Sequence, residues 1–195
     1  MVTAQRAAGN LSPQTKVVVV VHLYGYIAEM PQIMDLAHKR DLMVLEDVPQ
    51  ALGAEVAGQK AGTFGELEIF PFYSHKNVTT LDKSGILVAK DPPKAALVPL
   101  LRHNGHCAVT GERQHYCKPA MGDVDLPRPG MWSSSYCLDE AESALSVALL
   151  TRIDRMNAEK RARACRFIDA LSDYHELCFH SVETTVTPIT CWPPT

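Results

Sequence analysis

The patterned part of the chain begins with an apolar run from Lys16 to His22 that holds five successive valines, Val17 to Val21. An unbroken β-branched run predicts a strand covered on both faces, the habit of parallel sheets. Leu23-Tyr24-Gly25-Tyr26 follows as the loop at its carboxyl end. From Met30 to Arg40 the apolar positions Ile33, Met34, Leu36 and Ala37 fall at helical spacing and predict an amphipathic crossover helix. Leu42 to Glu46 is the next strand, which completes a βαβ unit. Pro49 to Leu52 reads as a short turn or helix, and Gly53, Gly58, Gly62 and Gly65 mark a loop-rich passage. Strands are predicted over Leu67 to Tyr73 and Ile86 to Ala89, and a short helix over Ala95 to Arg102.

No period survives between Arg102 and Gly130, a stretch rich in His, Cys, Pro and Gly. Excursions of this length in a domain are usually functional or make contacts between subunits. The longest helical pattern is Leu138 to Leu171, with apolar positions at Leu145, Leu149, Ile153 and Met156, then Ala164, Phe167, Ile168 and Leu171. Asp139 and Glu140 suit its amino end. Lys160, Arg161, Arg163 and Arg166 predict a solvated face. The order of elements is that of an α/β protein: a mostly parallel sheet, flanking helices and a long carboxyl-terminal helix.

At 195 residues and 46% hydrophobic, the chain has the material for one α/β domain with a core. A net charge of −3, with no Lys/Arg cluster interleaved with aromatics, argues against nucleic acid as a partner. Val17 to Val21 is too short to span a bilayer, and Met1 to Ser12 lacks the apolar stretch of a signal peptide. No membrane association and a cytoplasmic location are expected. Cys107, Cys117, Cys137, Cys165, Cys178 and Cys191 are irregularly spaced, and free thiols are expected.

The chemistry of interest lies between Glu46 and Gly85. One strand delivers Glu46-Asp47 to a loop, and a second delivers Ser74-His75-Lys76-Asn77. The carboxyl ends of neighbouring strands in an open α/β sheet share one crevice. Asp47 and Lys76 are thereby expected in one pocket. A lysine in a cleft suits Schiff-base chemistry, and an aspartate opposite it is the usual partner of a pyridinium nitrogen. His103, His106, Cys107, His115 and Cys117 offer zinc-type ligands in a spacing that fits no standard pattern, so no metal ligand is assigned. A His/Cys metal-binding module stands as an alternative function.

The ordered words of the sequence resemble a family. His22-Leu23-Tyr24-Gly25, Glu46-Asp47-Val48-Pro49-Gln50-Ala51-Leu52-Gly53-Ala54, Gly62-Thr63-Phe64-Gly65, His75-Lys76-Asn77 and Leu101-Arg102-His103-Asn104-Gly105 stand in the order seen in the DegT/DnrJ/StrS sugar aminotransferases. The helix Ser143 to Asp154 and the Arg-rich Lys160 to Arg166 continue the likeness, which covers roughly Ser12 to Leu177. Within the family, Lys76-Asn77-Val78-Thr79-Thr80-Leu81, Arg102-His103-Asn104-Gly105, Pro119-Ala120-Met121 and Cys137-Leu138 look most like the branch acting on 8-amino-3,8-dideoxy-manno-octulosonate.

The resemblance implies a partial fold-type I, pyridoxal 5'-phosphate-dependent aminotransferase that works as a homodimer. It would move an amino group from an amino acid, glutamate above all, to a keto-sugar in polysaccharide or lipopolysaccharide biosynthesis. Lys76 would bind the cofactor as a Schiff base and move the proton, Asp47 would pair with the ring nitrogen, and Gln50 would sit beside the ring and its phenolic oxygen.

There are departures. The family's phosphate-binding serine, five residues before the lysine, is Pro71 here, which can donate through neither backbone nor side chain. Ser74 is the nearest hydroxyl. The family's Gly-Glu-Gly-Gly turn reads Asp82-Lys83-Ser84-Gly85, which would crowd a turn that needs positive φ. Ser135 matches the asparagine that reaches the neighbouring subunit's phosphate. The expected organisation is an incomplete aminotransferase domain over 12–177 and a tail over 178–195 leading toward the small domain, as in a truncated or diverged enzyme. The rival expectation is a catalytically inactive relative that serves as a binding subunit.

Overall fold

The structure is a computed structural model, and it describes residues 3–73, 76–80, 83–102, 134–177 and 186–188. Its order is α1 (Ala4–Gly9), β1 (Val17–Val21), α2 (Met30–Lys39), β2 (Met43–Asp47), β3 (Glu55–Val56) and β4 (Gln59–Lys60), then β5 (Leu67–Pro71) and β6 (Gly85–Ala89). α3 (Pro92–Arg102), α4 (Glu140–Leu150), α5 (Ile153–Ala170) and β7 (Val186–Thr187) follow. The main sheet runs β1-β2-β5-β6, with the first three strands parallel and β6 antiparallel to β5. The α/β class with a mostly parallel sheet is as the sequence leads one to expect.

Register separates the sheet's two faces. Val20, Glu46 and Glu68 lie side by side on one, and Val21, Asp47 and Ile69 on the other. On the first face Val20 and Val44 pack with Met30, Ile33 and Ala37 of α2, and the core continues through Val48, Ala51, Ala54 and Ala61. Each large apolar side chain buried there contributes about 1.5–3 kcal/mol. The second face is less covered: Val17, Val19 and Met43 stay exposed. Among the described residues, then, the valine run is covered on one face rather than two.

Several elements differ from the sequence expectation. α1 forms where no element was predicted; Thr3 caps it by accepting from the Arg6 N–H. β3 and β4 make a hairpin within the predicted loop, because Ala57 (φ +50) and Gly58 (φ +77) supply the two left-handed residues of a tight turn. An alanine in the first of those places hides the signal. β7 then pairs with β3 as the third strand of this small sheet. α3 starts at Pro92, where the lack of an N–H costs nothing in a first helical turn. The long predicted helix is two. Asp139 and Glu142 close a capping box on α4, and at its end Thr151 turns its hydroxyl back to the Ala148 carbonyl, a bond that bends helices. Cys165 is disulfide-bonded, which corrects the expectation of free thiols at that position. Pairing follows Cα proximity in space, which sequence spacing does not report.

Candidate active site

The end of β2 puts two carboxylates on opposite faces of the sheet. Glu46 points into the core, fully buried, and four donors meet it. They are the backbone N–H groups of Gly62 (2.8 Å), Phe64 (2.6 Å) and Gly65 (2.7 Å), and the His22 ring at 2.9 Å. His22 Nδ1 accepts from the Ala28 N–H at 3.2 Å, so its proton sits on Nε2 and is donated to Glu46. Burial opposes the charge on Glu46, but these bonds outweigh it and hold the carboxyl below its ordinary pKa. From the other side, Lys90 Nζ donates to the carbonyls of Thr63 (2.6 Å) and Phe64 (2.9 Å). The 62–65 loop is thus clamped between opposite charges. Gly62 has φ +79, and a Cβ there would meet the Phe70 ring at 2.4 Å. Sequence reasoning gave His22 and Glu46 no role. The available signal was a glycine-punctuated loop downstream of a carboxylate at a strand end.

Asp47 faces the opposite way. Its Oδ1 is buried and has no hydrogen-bond partner among the described residues. Burial raises its pKa, and electrostatic interaction with Lys76, then with the His22 ring, works against that rise. Asp47 and Lys76 are therefore brought together, as their strand ends suggested. Lys76 is half-buried, and its backbone N–H is fixed on the Tyr73 carbonyl at 2.8 Å. Gln50 stands at the same strand end, where its Oε1 accepts from the Tyr24 N–H at 2.6 Å. With that oxygen engaged, the amide NH2 is what Gln50 offers a ligand. Asn77, next to Lys76, accepts a hydrogen bond from Lys160 of α5. Asn157, one turn earlier, donates to the Leu52 carbonyl at 2.9 Å, beside Gly53. Lys160 and Arg161 are half-buried and bonded to other elements, not members of a solvated face; Arg161 holds the Pro188 carbonyl.

Ser135 is exposed, and among the described residues no hydrogen bond joins it to Asp47, Gln50 or Lys76. Its neighbours Ser134 and Tyr136 bond the carbonyls of Leu101 and Arg102 at the end of α3. Ser74 lies outside the described residues, as do His75, Asp82 and the span 103–133 with its His/Cys set. Among the described residues no group of three His, Cys, Asp or Glu could hold a metal. Pro71 ends β5 opposite Gly85, and Phe72, the next residue, donates to the Ser84 carbonyl at 2.8 Å. Donors alternate sides along a strand, so the donor missing at Pro71 falls on the β2 side, past the last rung at Asp47 and Ile69. Of the two places where the family's turn has a glycine and this chain a side chain, Ser84 takes no positive φ, so the crowding expected there does not arise, and Asp82 lies outside the described residues. Gly85 is the tight place, where a Cβ would lie 2.9 Å from the Phe70 carbonyl oxygen.

A buried acceptor beside a half-buried amine, with an amide NH2 at the same strand end, suits a ligand that carries a ring N–H and a carbonyl carbon. Comparison with known proteins gives the same direction. The profile of the DegT/DnrJ/EryC1/StrS aminotransferase family matches residues 1–192. The chain is 33% identical over 162 residues to an L-glutamine:2-deoxy-scyllo-inosose aminotransferase of Streptomyces kanamyceticus, covering 83% of this chain and 36% of that protein. It is 33% identical over 176 residues to a dTDP-3-amino-3,4,6-trideoxy-alpha-D-glucose transaminase of Micromonospora megalomicea subsp. nigra, covering 90% and 42%. Among solved structures, DesV of S. venezuelae, in complex with a ketimine intermediate, superposes with a TM-score of 0.78 at 26% identity. That superposition covers 95% of this chain and 46% of DesV. The chain spans less than half the length of each of these relatives.

Proposed function

We propose that this chain serves the transfer of an amino group to a keto-sugar, and the premise is that it belongs to the DegT/DnrJ/EryC1/StrS aminotransferase family. The cofactor of this chemistry is pyridoxal 5'-phosphate, which supplies an electron sink when its ring nitrogen is protonated. One observation carries the reading. Asp47 Oδ1 is a buried acceptor without a partner among the described residues, within electrostatic reach of Lys76. A ring N–H would satisfy that oxygen and favour its charged form. Lys76 Nζ is the amine for the cofactor's aldehyde, and it takes and returns the proton between donor and acceptor carbons. Gln50, held by Tyr24, offers its NH2 to the phenolic oxygen. Ser74 and Ser135 are the proposed hydroxyls for the phosphate, Ser135 toward a second copy in a homodimer.

The finer terms of the proposal are glutamate as donor and a keto-sugar of lipopolysaccharide or polysaccharide synthesis as acceptor. The branch is that of 8-amino-3,8-dideoxy-manno-octulosonate, and the location is cytoplasmic. Residues 12–177 carry the aminotransferase portion and 178–195 lead on from it. No helix among the described residues is long and apolar enough to cross a membrane. Pro71 favours a second reading, an inactive relative that binds a partner, because the phosphate loses a donor there.

The test is an absorbance spectrum of the protein with added pyridoxal phosphate, then borohydride reduction and mapping of the modified peptide. A bleachable yellow band, with the pyridoxyl group on Lys76 and absent from Lys76→Ala, is the expected result. A folded protein with no band removes the enzyme reading and leaves the inactive relative.

A further inference from the structure

Lys160 donates to the side-chain oxygen of Asn77 across 83 residues of sequence. Its ammonium is half-buried and its pKa is lowered by that burial, so it has given up water to reach the amide. Docking a helix does not require this expense, because α5 already holds the 52–53 turn through Asn157 and Pro188 through Arg161. What Lys160 adds is a hold on the residue next to Lys76. The backbone of Lys76 is tied on one side to the Tyr73 carbonyl. On the other it continues into Asn77, whose Nδ2 is buried and without a partner among the described residues, and then into Val78, which is fully buried. The Asn77 amide thus has a single described side-chain bond, and Lys160 makes it.

We propose that Lys160 is a positioning residue for Lys76, acting through the Asn77 side chain. The inference rests on the function proposed for Lys76, but its effect on the amine is readable without the cofactor. A charged donor makes a stronger bond than a neutral one, so Lys160 fixes Asn77, and through it the direction in which the Lys76 side chain leaves the loop. Reacting groups held in the right direction gain rate that a loose loop forfeits.

The experiment uses the full chain and its Lys160→Met, Lys160→Arg, Asn77→Ala and Lys160→Met/Asn77→Ala variants. Two rates are read by mass spectrometry of the Lys76 peptide: borohydride-trapped capture of pyridoxal phosphate, and acetylation by acetic anhydride with no pyridoxal phosphate present. Exposed Lys39 serves as the internal control for acetylation. In Lys160→Met, capture is expected to slow roughly tenfold, while Lys76 acetylates faster and Lys39 is unchanged. Lys160→Arg restores both rates. In the Asn77→Ala background the loss of Lys160 adds nothing. Lys160→Gln replaces Lys160→Met in every comparison if the latter does not melt cooperatively. Unchanged acetylation of Lys76 in the Lys160 variant overturns the proposal, and so does a full further effect in the Asn77→Ala background. If the wild-type chain captures no pyridoxal phosphate, the function proposed above falls, and the acetylation arm still decides the role of Lys160.

Discussion

Glu46 and Glu68 are neighbours in register on the same face of the sheet, and their surroundings treat them in opposite ways. Glu46 receives four donors and stays charged. Glu68 is 1% exposed, and neither of its oxygens has a hydrogen-bond partner among the described residues. Burial first, with Glu46 and Glu66 adding repulsion and Lys90 relieving part of it, pushes Glu68 up to about 7. The folded chain therefore holds a proton that the unfolded chain has released. Stability from this group is complete below the ordinary glutamate range and is lost as pH rises toward 7. A shift of this size corresponds to about 3 kcal/mol. Glu68→Leu is expected to be more stable than the wild type at pH 8 by about that amount, with the gain shrinking toward pH 5. Urea unfolding at the two pH values measures it; equal gains at both would mean that Glu68 keeps its charge in the fold. Glu46 has the reverse sign: its lowered pKa stabilises above the ordinary range, and that contribution is lost as pH falls.

At the scale of elements, the main sheet was legible because its strands are apolar runs and its crossover helix has a clear period. The hairpin β3–β4 was not, because its turn uses Ala57 where glycine or asparagine announces such turns. The apparent single helix was not read as two, because the 3.6-residue pattern runs on through Arg152, while the Arg152 N–H bonds the Leu149 carbonyl, three residues back instead of four. Asp47 and Lys76 could be placed because strand ends converge. The polar face of α5 could not, since a run of Lys and Arg looks the same whether it meets water or a neighbouring loop. Asn157 shows what was hidden. It bonds the Leu52 carbonyl, while Gly53 holds φ +92 with its missing Cβ only 2.6 Å from Asn157 Nδ2. Gly53→Ala is expected to cost about 2 kcal/mol, from a left-handed alanine and from the displaced amide. Its thermal melt is the check. A variant within a few tenths of a kcal/mol of wild type would show that α5 does not depend on this contact.

On the scale of the whole molecule, the two faces of the sheet divide the work. The face with Val20 and Val44 carries the core and the Glu46 clamp, whereas the less covered face carries Asp47 between Val21 and Ile69. A ligand seated on Asp47 therefore adds to the thinner side of the fold and should stabilise the whole chain by mass action, about 2.7 kcal/mol at a concentration 100-fold above its dissociation constant. The sign with pH follows from Asp47. Burial raises its pKa in the free protein, and a ring N–H pairs with the ionised carboxylate. Binding favours the ionised carboxylate, so it weakens as pH falls into the carboxylate range, and burial in the free protein brings that weakening in at a higher pH than for an exposed aspartate. Pyridoxal phosphate is expected to raise the melting temperature more at neutral pH than at a pH within the carboxylate range. Asp47→Asn keeps the shape and removes the charge, so it should lose a bond of about 1.5–3 kcal/mol and flatten the pH dependence together. Calorimetric melts with and without the cofactor read both. A thermal shift of equal size in Asp47→Asn would place the ring nitrogen away from Asp47, and the orphaned oxygen would then need another donor.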